Sequence, residues 1–449
     1  MAAKAAADIA EAGGLSLQAK LGRAVRRIRG SRDELLAILE RLVGFPTVSP
    51  PARNTAEAQA FLAEQLEAAG LRLSRWELYP GDPVVVGIKP GARPASCRSL
   101  ILNGHMDVAE VGQPAEWRGD PFALRVEGDW AVGRGTADMK GALAAALLAI
   151  RVIEEEGIEL GGNLQFQSAV GEEAGEAGTR SITERGLADG YDYAVVMDTS
   201  NLAIQGQGGV ITGWLTVQSP QVHHDGMRGS MIHAGGGVFG ASAIEKMAKL
   251  IGSLQELERH WAVVKQYPGF PPGAATINPA VIEGGRHAAF VADTCRLWIT
   301  VHFYPNEDYQ SVTREIEEHI RYAAMADPWL REHPPRFTWG GRSMIEDRGE
   351  IFPSLELDRH HPGLQCLAVS HAEAAGEKPA VGMSPTVTDA GWLAGAGVPA
   401  AIYGPGLLSE AHGVNEGVSV AELLTFAESL LRFIAVWCNS PKTEGRDEP

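Results

Sequence analysis

The chain has 449 residues, 45% hydrophobic and 21% charged, an ordinary globular composition with room for two domains. A formal net charge of −17 at pH 7 argues against nucleic acid or an anionic membrane as a main partner. No run approaches the roughly eighteen apolar residues of a spanning helix, and the widely separated Cys97, Cys295, Cys366 and Cys438 read as reduced, partly buried thiols.

The first thirty residues hold Lys4, Lys20, Arg23, Arg26 and Arg27 among many alanines. They lack the apolar core of a signal peptide and read as an extra amphipathic segment of a cytoplasmic protein. Leu35, Leu36, Leu39 and Leu42 share one face of a helix expected from Asp33 to about Val43. A second helix is expected from an Asn54 N-cap, with Glu57 at capping-box spacing, to a C-cap at Gly70. Trp76 to Ile88 suits strands and Ser99 to Gly104 a short buried strand. A long helix follows Gly141, with Leu143, Leu147, Ile150 and Ile153 on one stripe. Asn163 to Val170 and Tyr193 to Met197 are again strand-like, and each stops at acidic residues. Polar residues thus recur just beyond strand ends, where the loops of an open parallel sheet converge on ligands.

Composition changes near Gly206. Val210 to Val217 alternates like a partly exposed strand, Ala241 to Ile251 is helical, Thr276 to Ile282 and Cys295 to Phe303 are strands, and Val312 to Ala324 is a helix. After Pro334 the α/β pattern resumes through Gly363 to Ala372, Val398 to Tyr403 and a last helix from Val420 to Val436. The expected architecture is an α/β catalytic domain in two pieces, residues 31–208 and 327–437, with an α+β domain inserted at 209–326.

His105 and Asp107 form a His-x-Asp unit directly after a strand. Imidazole is a good zinc ligand and a nearby carboxylate can hold its ring, although such pairs are also common on surfaces. Asp138 follows Gly133, Arg134 and Gly135, where the chain must turn tightly before a helix, and a carboxylate there can bridge two divalent ions. Glu172 and Glu173 follow Gly171 at another strand end. Adjacent side chains leave the backbone in different directions, so one can bind metal while the other faces an attacking water. Asp198 follows the next strand, and His412 comes after the turn Gly404-Pro405-Gly406. Singly, each reads equally well as a solvated acid, a cap or one of thirteen histidines. Two histidines and three carboxylates at successive strand ends point to a metal site, and mixed nitrogen and oxygen ligands suit zinc, cobalt or manganese.

The ordered motifs NGHMDV (103–108), GRGTADMKG (133–141), GEEAGEAGT (171–179), MD (197–198), YGPG (403–406) and EAHGVNE (410–416) carry a resemblance. Over about residues 33–437 the chain resembles the acetylornithine deacetylase, succinyl-diaminopimelate desuccinylase and aminoacylase group of dinuclear metallohydrolases. The resemblance implies a zinc-exopeptidase-like catalytic domain with an inserted ferredoxin-like domain that serves as lid and dimerisation surface of a homodimer. It implies two divalent ions per subunit, zinc first and cobalt or manganese as alternatives. His105 and Asp198 would hold one ion, Glu173 and His412 the other, with Asp138 bridging. Asp198 stands where many relatives have Glu. Asp107 would orient His105, and Glu172 would act as general base. His233, in MIHAGG, would reach the partner subunit's site and stabilise the developing oxyanion. Two cations about 3.5–4 Å apart would acidify water and polarise the amide carbonyl while Glu172 carries the proton.

The amino-acid deacylases of this group commonly have an arginine where this chain has His302 and an asparagine near Ala289. That arginine would clamp a substrate carboxylate, and Arg286 or Arg342 could replace it. The stretches at 204–214, 231–250 and 276–307 are most similar to the formylaminopyrimidine deformylase subgroup. The implied substrate is a small-molecule amide, N-formyl-4-amino-5-aminomethyl-2-methylpyrimidine of thiamin salvage, with Arg286, His302 and Asn278 as candidate binding residues. Deacylation of an N-acyl amino acid is the rival within the class, and an inactive amide-binding protein the rival outside it.

Overall fold

The computed structural model describes residues 16–442, so residues 1–15 of the basic N-terminal segment lie outside the described part. The rest of that segment is a helix, α1 (Leu17–Arg29), capped by the Ser16 hydroxyl and burying Ala24, Val25 and Ile28. The leucine stripe forms α2 (Arg32–Val43), in which Leu35, Ile38, Leu39, Leu42 and Val43 are buried. The next helix, α3 (Ala56–Ala68), starts differently from expectation, because Asn54 does not cap it. The Asn54 amide instead donates to the Val48 carbonyl at 3.0 Å. The buried Asp82 carboxylate takes over, accepting from Asn54 N (3.0 Å), Thr55 N (3.1 Å) and Thr55 Oγ1 (2.8 Å). A charged acceptor held on a strand satisfies several start-of-helix N–H groups at once, which one Asn side chain cannot.

The chain then forms β1 (Arg72–Tyr79), β2 (Asp82–Lys89), β3 (Leu100–His105), β4 (Arg125–Glu127) and β5 (Trp130–Val132). The helix α4 (Lys140–Glu155) is buried almost all round, as a central core helix must be. It is followed by β6 (Leu164–Ala169), α5 (Gly178–Glu184), β7 (Ala194–Val196) and β8 (Ile204–Gln207). Next come β9 (Gly209–Gln218), β10 (His223–His224), α6 (Ala243–Val264), β11 (Thr276–Gly284), β12 (Phe290–Val291) and β13 (Thr294–Phe303). They lead to α7 (Tyr309–Met325), α8 (Pro328–Glu332), β14 (Arg336–Trp339) and β15 (Ile351–Phe352). The chain finishes with α9 (Pro362–Ala375), β16 (Val381–Ser384), α10 (Ala390–Gly395), β17 (Ala400–Ile402), β18 (Gly417–Ser419) and α11 (Val420–Trp437).

The described residues form two compact units: 16–205, 357–382 and 392–442 in one, and 206–356 with 383–391 in the other. The first is built on an eight-stranded sheet in the order β1-β2-β6-β3-β7-β17-β8-β16. Within it β6, β3, β7 and β17 run parallel to one another, so their carboxyl ends emerge along one edge. All six residues of β3 and of β6 are buried, and α2, α4 and α11 contribute to the same apolar core.

The second unit is an antiparallel sheet, β11-β13-β9-β14, with β15 also paired to β9. Leu215, Val217, Leu297 and Ile299 pack with Leu250 and Leu254 of α6 and Ile316 and Ile320 of α7. β9 is more buried than its alternating sequence suggests, because it is central and its alternate face carries Trp214 stacked on Trp298, 5.6 Å between ring centroids. The unit runs past residue 326, where the sequence reading ends the insertion, since β14 and β15 both pair with β9. Among the described residues no helix is long and apolar enough to cross a membrane.

Candidate metal centre

Each strand of the parallel set delivers a functional residue as it ends. His105 is the last residue of β3, Glu172 and Glu173 follow β6, Asp198 follows β7, and the loop after β17 leads to His412. Asp138 arrives from the loop that starts α4. The six side chains meet. His105 Nε2 lies 3.2 Å from Asp138 Oδ1, 3.9 Å from Asp198 Oδ2 and 4.0 Å from Glu172 Oε2. His412 Nε2 lies 2.8 Å from Glu173 Oε2 and 3.3 Å from the other oxygen of Asp138. Asp138 therefore faces an imidazole with each of its oxygens, one from either side.

A cluster of His105, Asp138 and Glu173, with one ligand atom from each all within 4.8 Å of one another, can hold a metal ion. His105 Nε2, Asp138 Oδ1 and Glu173 Oε1 are moreover buried without a hydrogen-bond partner. Buried polar atoms left in that state are costly unless something else coordinates them. The donor set of imidazole nitrogens and carboxylate oxygens fits zinc, and also cobalt or manganese.

The electrostatics carry the same message. Burial and the neighbouring Asp138 charge push Glu173 up to about 7. Burial, again with Asp138 close by, also pushes Asp198 up to about 7. Burial opposes ionisation of Asp138 as well, but its contacts with His105 and His412 outweigh that and hold it well below the usual carboxylate range. His412 rises to about 10 through its contacts with Asp138 and Glu173. Burial disfavours charge on His105, yet Asp138, Glu172 and Asp107 together raise it well above an ordinary histidine. Crowded, desolvated carboxylates of this kind draw positive charge into the space between them.

The surrounding shell fixes these groups. Asp107 meets His105 through its backbone, the carbonyl accepting from Nδ1 at 3.0 Å. Its carboxylate, 3.7 Å from the same nitrogen, accepts from the backbone N–H of Gly171 (2.8 Å), Glu172 (3.3 Å) and Glu173 (3.1 Å). Glu416 was not singled out by its sequence, although it closes the EAHGVNE motif. It is fully buried, and its carboxylate accepts from the N–H groups of Gly135, Ala137 and Asp138 and from Arg134 Nη1 at 2.7 Å. Arg134 Nη2 donates to the His412 carbonyl at 3.2 Å. One buried pair thereby ties the backbone of Asp138 to that of His412.

The other predicted residues belong to the second unit. His233 is exposed on a short turn, Nδ1 3.5 Å from Lys246 Nζ. His302 lies in the wall of a cavity of 440 Å³ with Phe270, Phe303 and Tyr304. Asn278 and Arg286 are not in that wall. Asn278 is exposed on the edge strand β11, opposite Thr300, and Arg286 pairs with Asp293 at 3.2 Å.

A parallel sheet whose strand ends supply histidines and carboxylates to a metal-binding cluster defines a metal-dependent hydrolase. The chain matches the model of Peptidase family M20/M25/M40 over residues 101–436 and belongs to that family. It is 56% identical to the N-formyl-4-amino-5-aminomethyl-2-methylpyrimidine deformylase of Halalkalibacterium halodurans, over 92% of this chain and 96% of that one. It is 53% identical to the Bacillus subtilis protein of the same name, over 93% and 98% of the two chains. In fold it is similar to an M20 family metallo-carboxypeptidase from Sulfolobus solfataricus, with a TM-score of 0.69 at 18% identity, covering 90% of this chain and 99% of the other.

Proposed function

We propose that this protein hydrolyses the formyl amide of N-formyl-4-amino-5-aminomethyl-2-methylpyrimidine, releasing formate and the free amine, as a metal-dependent amidohydrolase of thiamin salvage. The observation that carries the reading is the near full-length identity of 56% and 53% to two deformylases of that name.

Two divalent ions, zinc first, would be held by His105, Asp138, Glu173, Asp198 and His412. Bound metal supplies a Lewis acid that acidifies water and polarises the formyl carbonyl. Glu172 takes a proton from the attacking water and returns it to the departing nitrogen as the C–N bond breaks, so that water divides between formate and amine. Asp107 holds the backbone of the turn that aims Glu172. His233 supplies a donor to the carbonyl oxygen as it becomes negative, in a homodimer formed through the inserted domain.

The decisive experiment compares the metal-reconstituted enzyme on the formylaminopyrimidine, N-acetylornithine and N-succinyl-diaminopimelate side by side. Turnover of the first, far above the others, is expected, together with loss of activity on chelation and recovery on adding zinc. Turnover confined to the acyl amino acids would overturn the substrate.

A further inference from the structure

The turn Glu172–Ala174 is bracketed by two left-handed glycines, Gly171 (φ 79°) and Gly175 (φ 57°). Such glycines allow the turn to form, but they leave its orientation open to rotations that a residue with a Cβ would resist. Something outside the turn must hold it. Asp107 ties the near end by accepting the N–H groups of residues 171–173. The far end is Glu176, whose N–H donates to the Gly171 carbonyl at 2.7 Å.

The Glu176 carboxylate has no exposed surface and meets Arg53 in a two-pronged pair, Nη1 to Oε2 and Nη2 to Oε1, each 2.8 Å. Arg53 is itself fixed. Its N–H and Nη1 donate to Asp82 Oδ2 at 2.7 and 3.1 Å, and its guanidinium sits 4.0 Å from the centroid of the Tyr79 ring. Asp82 also anchors the start of α3. A rigid assembly on β2 and α3 thus reaches across 123 residues of sequence to the segment that carries Glu172.

We infer that Arg53, acting through Glu176, is a positioning residue for Glu172 and governs proton transfer rather than metal or substrate binding. The inference rests on Glu172 as the proton carrier. A buried ion pair is a weak source of stability, because desolvation offsets most of the attraction. Its planar, two-pronged geometry is a strong orienting device.

The test uses the full-length, metal-loaded enzyme with Glu176→Gln, Arg53→Met, Arg53→Lys and the double variant Arg53→Met/Glu176→Met. Readouts are kcat, KM and bound metal, on the formylaminopyrimidine and on any acyl amino acid the unmodified enzyme hydrolyses. Each single variant is expected to lose about 10- to 100-fold in kcat, with KM and metal content unchanged. Arg53→Lys should recover only part, since an ammonium cannot make the two-pronged contact. The double variant should lose no more than the worse single one, because one coupled unit is broken only once. Losses confined to KM or tracking metal content, or losses that multiply in the double variant, would overturn the inference. If a single variant fails to fold, the double variant, with both charges gone, decides alone: a reduced kcat supports positioning and an unchanged kcat overturns it. Activity only on acyl amino acids would remove the substrate reading and leave the kcat pattern to judge Arg53.

Discussion

Glu172 and Glu173 are neighbours in sequence with different surroundings. Glu173 Oε2 touches His412 Nε2 at 2.8 Å, and Glu172 Oε2 lies 4.0 Å from His105 Nε2. In the proposed mechanism the first ligates metal and the second faces the reacting water. Glu172→Gln keeps the shape and removes the proposed proton acceptor. Turnover should fall by about 10²- to 10⁴-fold with metal content unchanged, measured by steady-state kinetics and elemental analysis on the same preparation. A variant that lost its metal as well would place Glu172 among the ligands. At this scale the sequence is informative wherever a residue sits at or just beyond a strand end, as His105 and Asp198 do. It is silent on Arg53 with Glu176, because only the folded chain brings them together. Glu416 is intermediate: its motif is visible, but three accepted backbone N–H groups are a property of the turn around it.

Among elements, the starts of two helices show side chains whose partners lie far away in the sequence. Asn54 has the right chemistry for α3, yet Asp82 does the capping from β2. Asp327 does cap the short helix α8, accepting from Trp329 N (2.9 Å) and Leu330 N (3.0 Å), but it also binds Lys246 Nζ of α6 at 2.8 Å and joins two helices of the second unit. Burial alone would raise Asp327, and these donors reverse that and hold it well below the usual carboxylate range. A carboxylate depressed in the folded state stabilises above its unfolded pKa of about 3.9 and loses that contribution as pH falls toward its folded value. Asp327→Asn leaves Lys246 buried without its charge partner, so at pH 7 it should cost about 3 kcal/mol in denaturant unfolding. The gap between the two proteins should narrow only below about pH 4, where the unfolded carboxylate is protonated. A gap that stayed constant from pH 7 to 3 would exclude the ion pair as its source. The boundary of the same unit was illegible for a related reason. β14 and β15 have four and two residues, too short for periodicity to register, and only their pairing with β9 assigns them.

For the molecule as a whole, the composition change near Gly206 and the return of the α/β pattern after Pro334 announced a first domain in two pieces, and segments on both sides of the insertion do form one unit. What that pattern cannot contain is which copy of the chain His233 serves. The histidine is exposed on a turn of the second unit, stacked near Phe239 with 6.5 Å between ring centroids, and its site of action follows from the proposed homodimer. Subunit mixing separates the two arrangements. His233→Ala and Glu172→Gln should each be inactive alone. If His233 acts across the interface, a mixed dimer contains one site with an intact Glu172 from one subunit and an intact His233 from its partner, and one site with neither. Random reassociation at equal amounts makes half the dimers mixed, so about a quarter of the sites, and of the original activity, should return. If His233 serves its own subunit, every site in every dimer lacks one of the two groups and mixing restores nothing. Recovery near a quarter, scaling with the fraction of mixed dimers, therefore assigns the oxyanion donor to the partner, and its absence assigns it to the same chain or to no catalytic role.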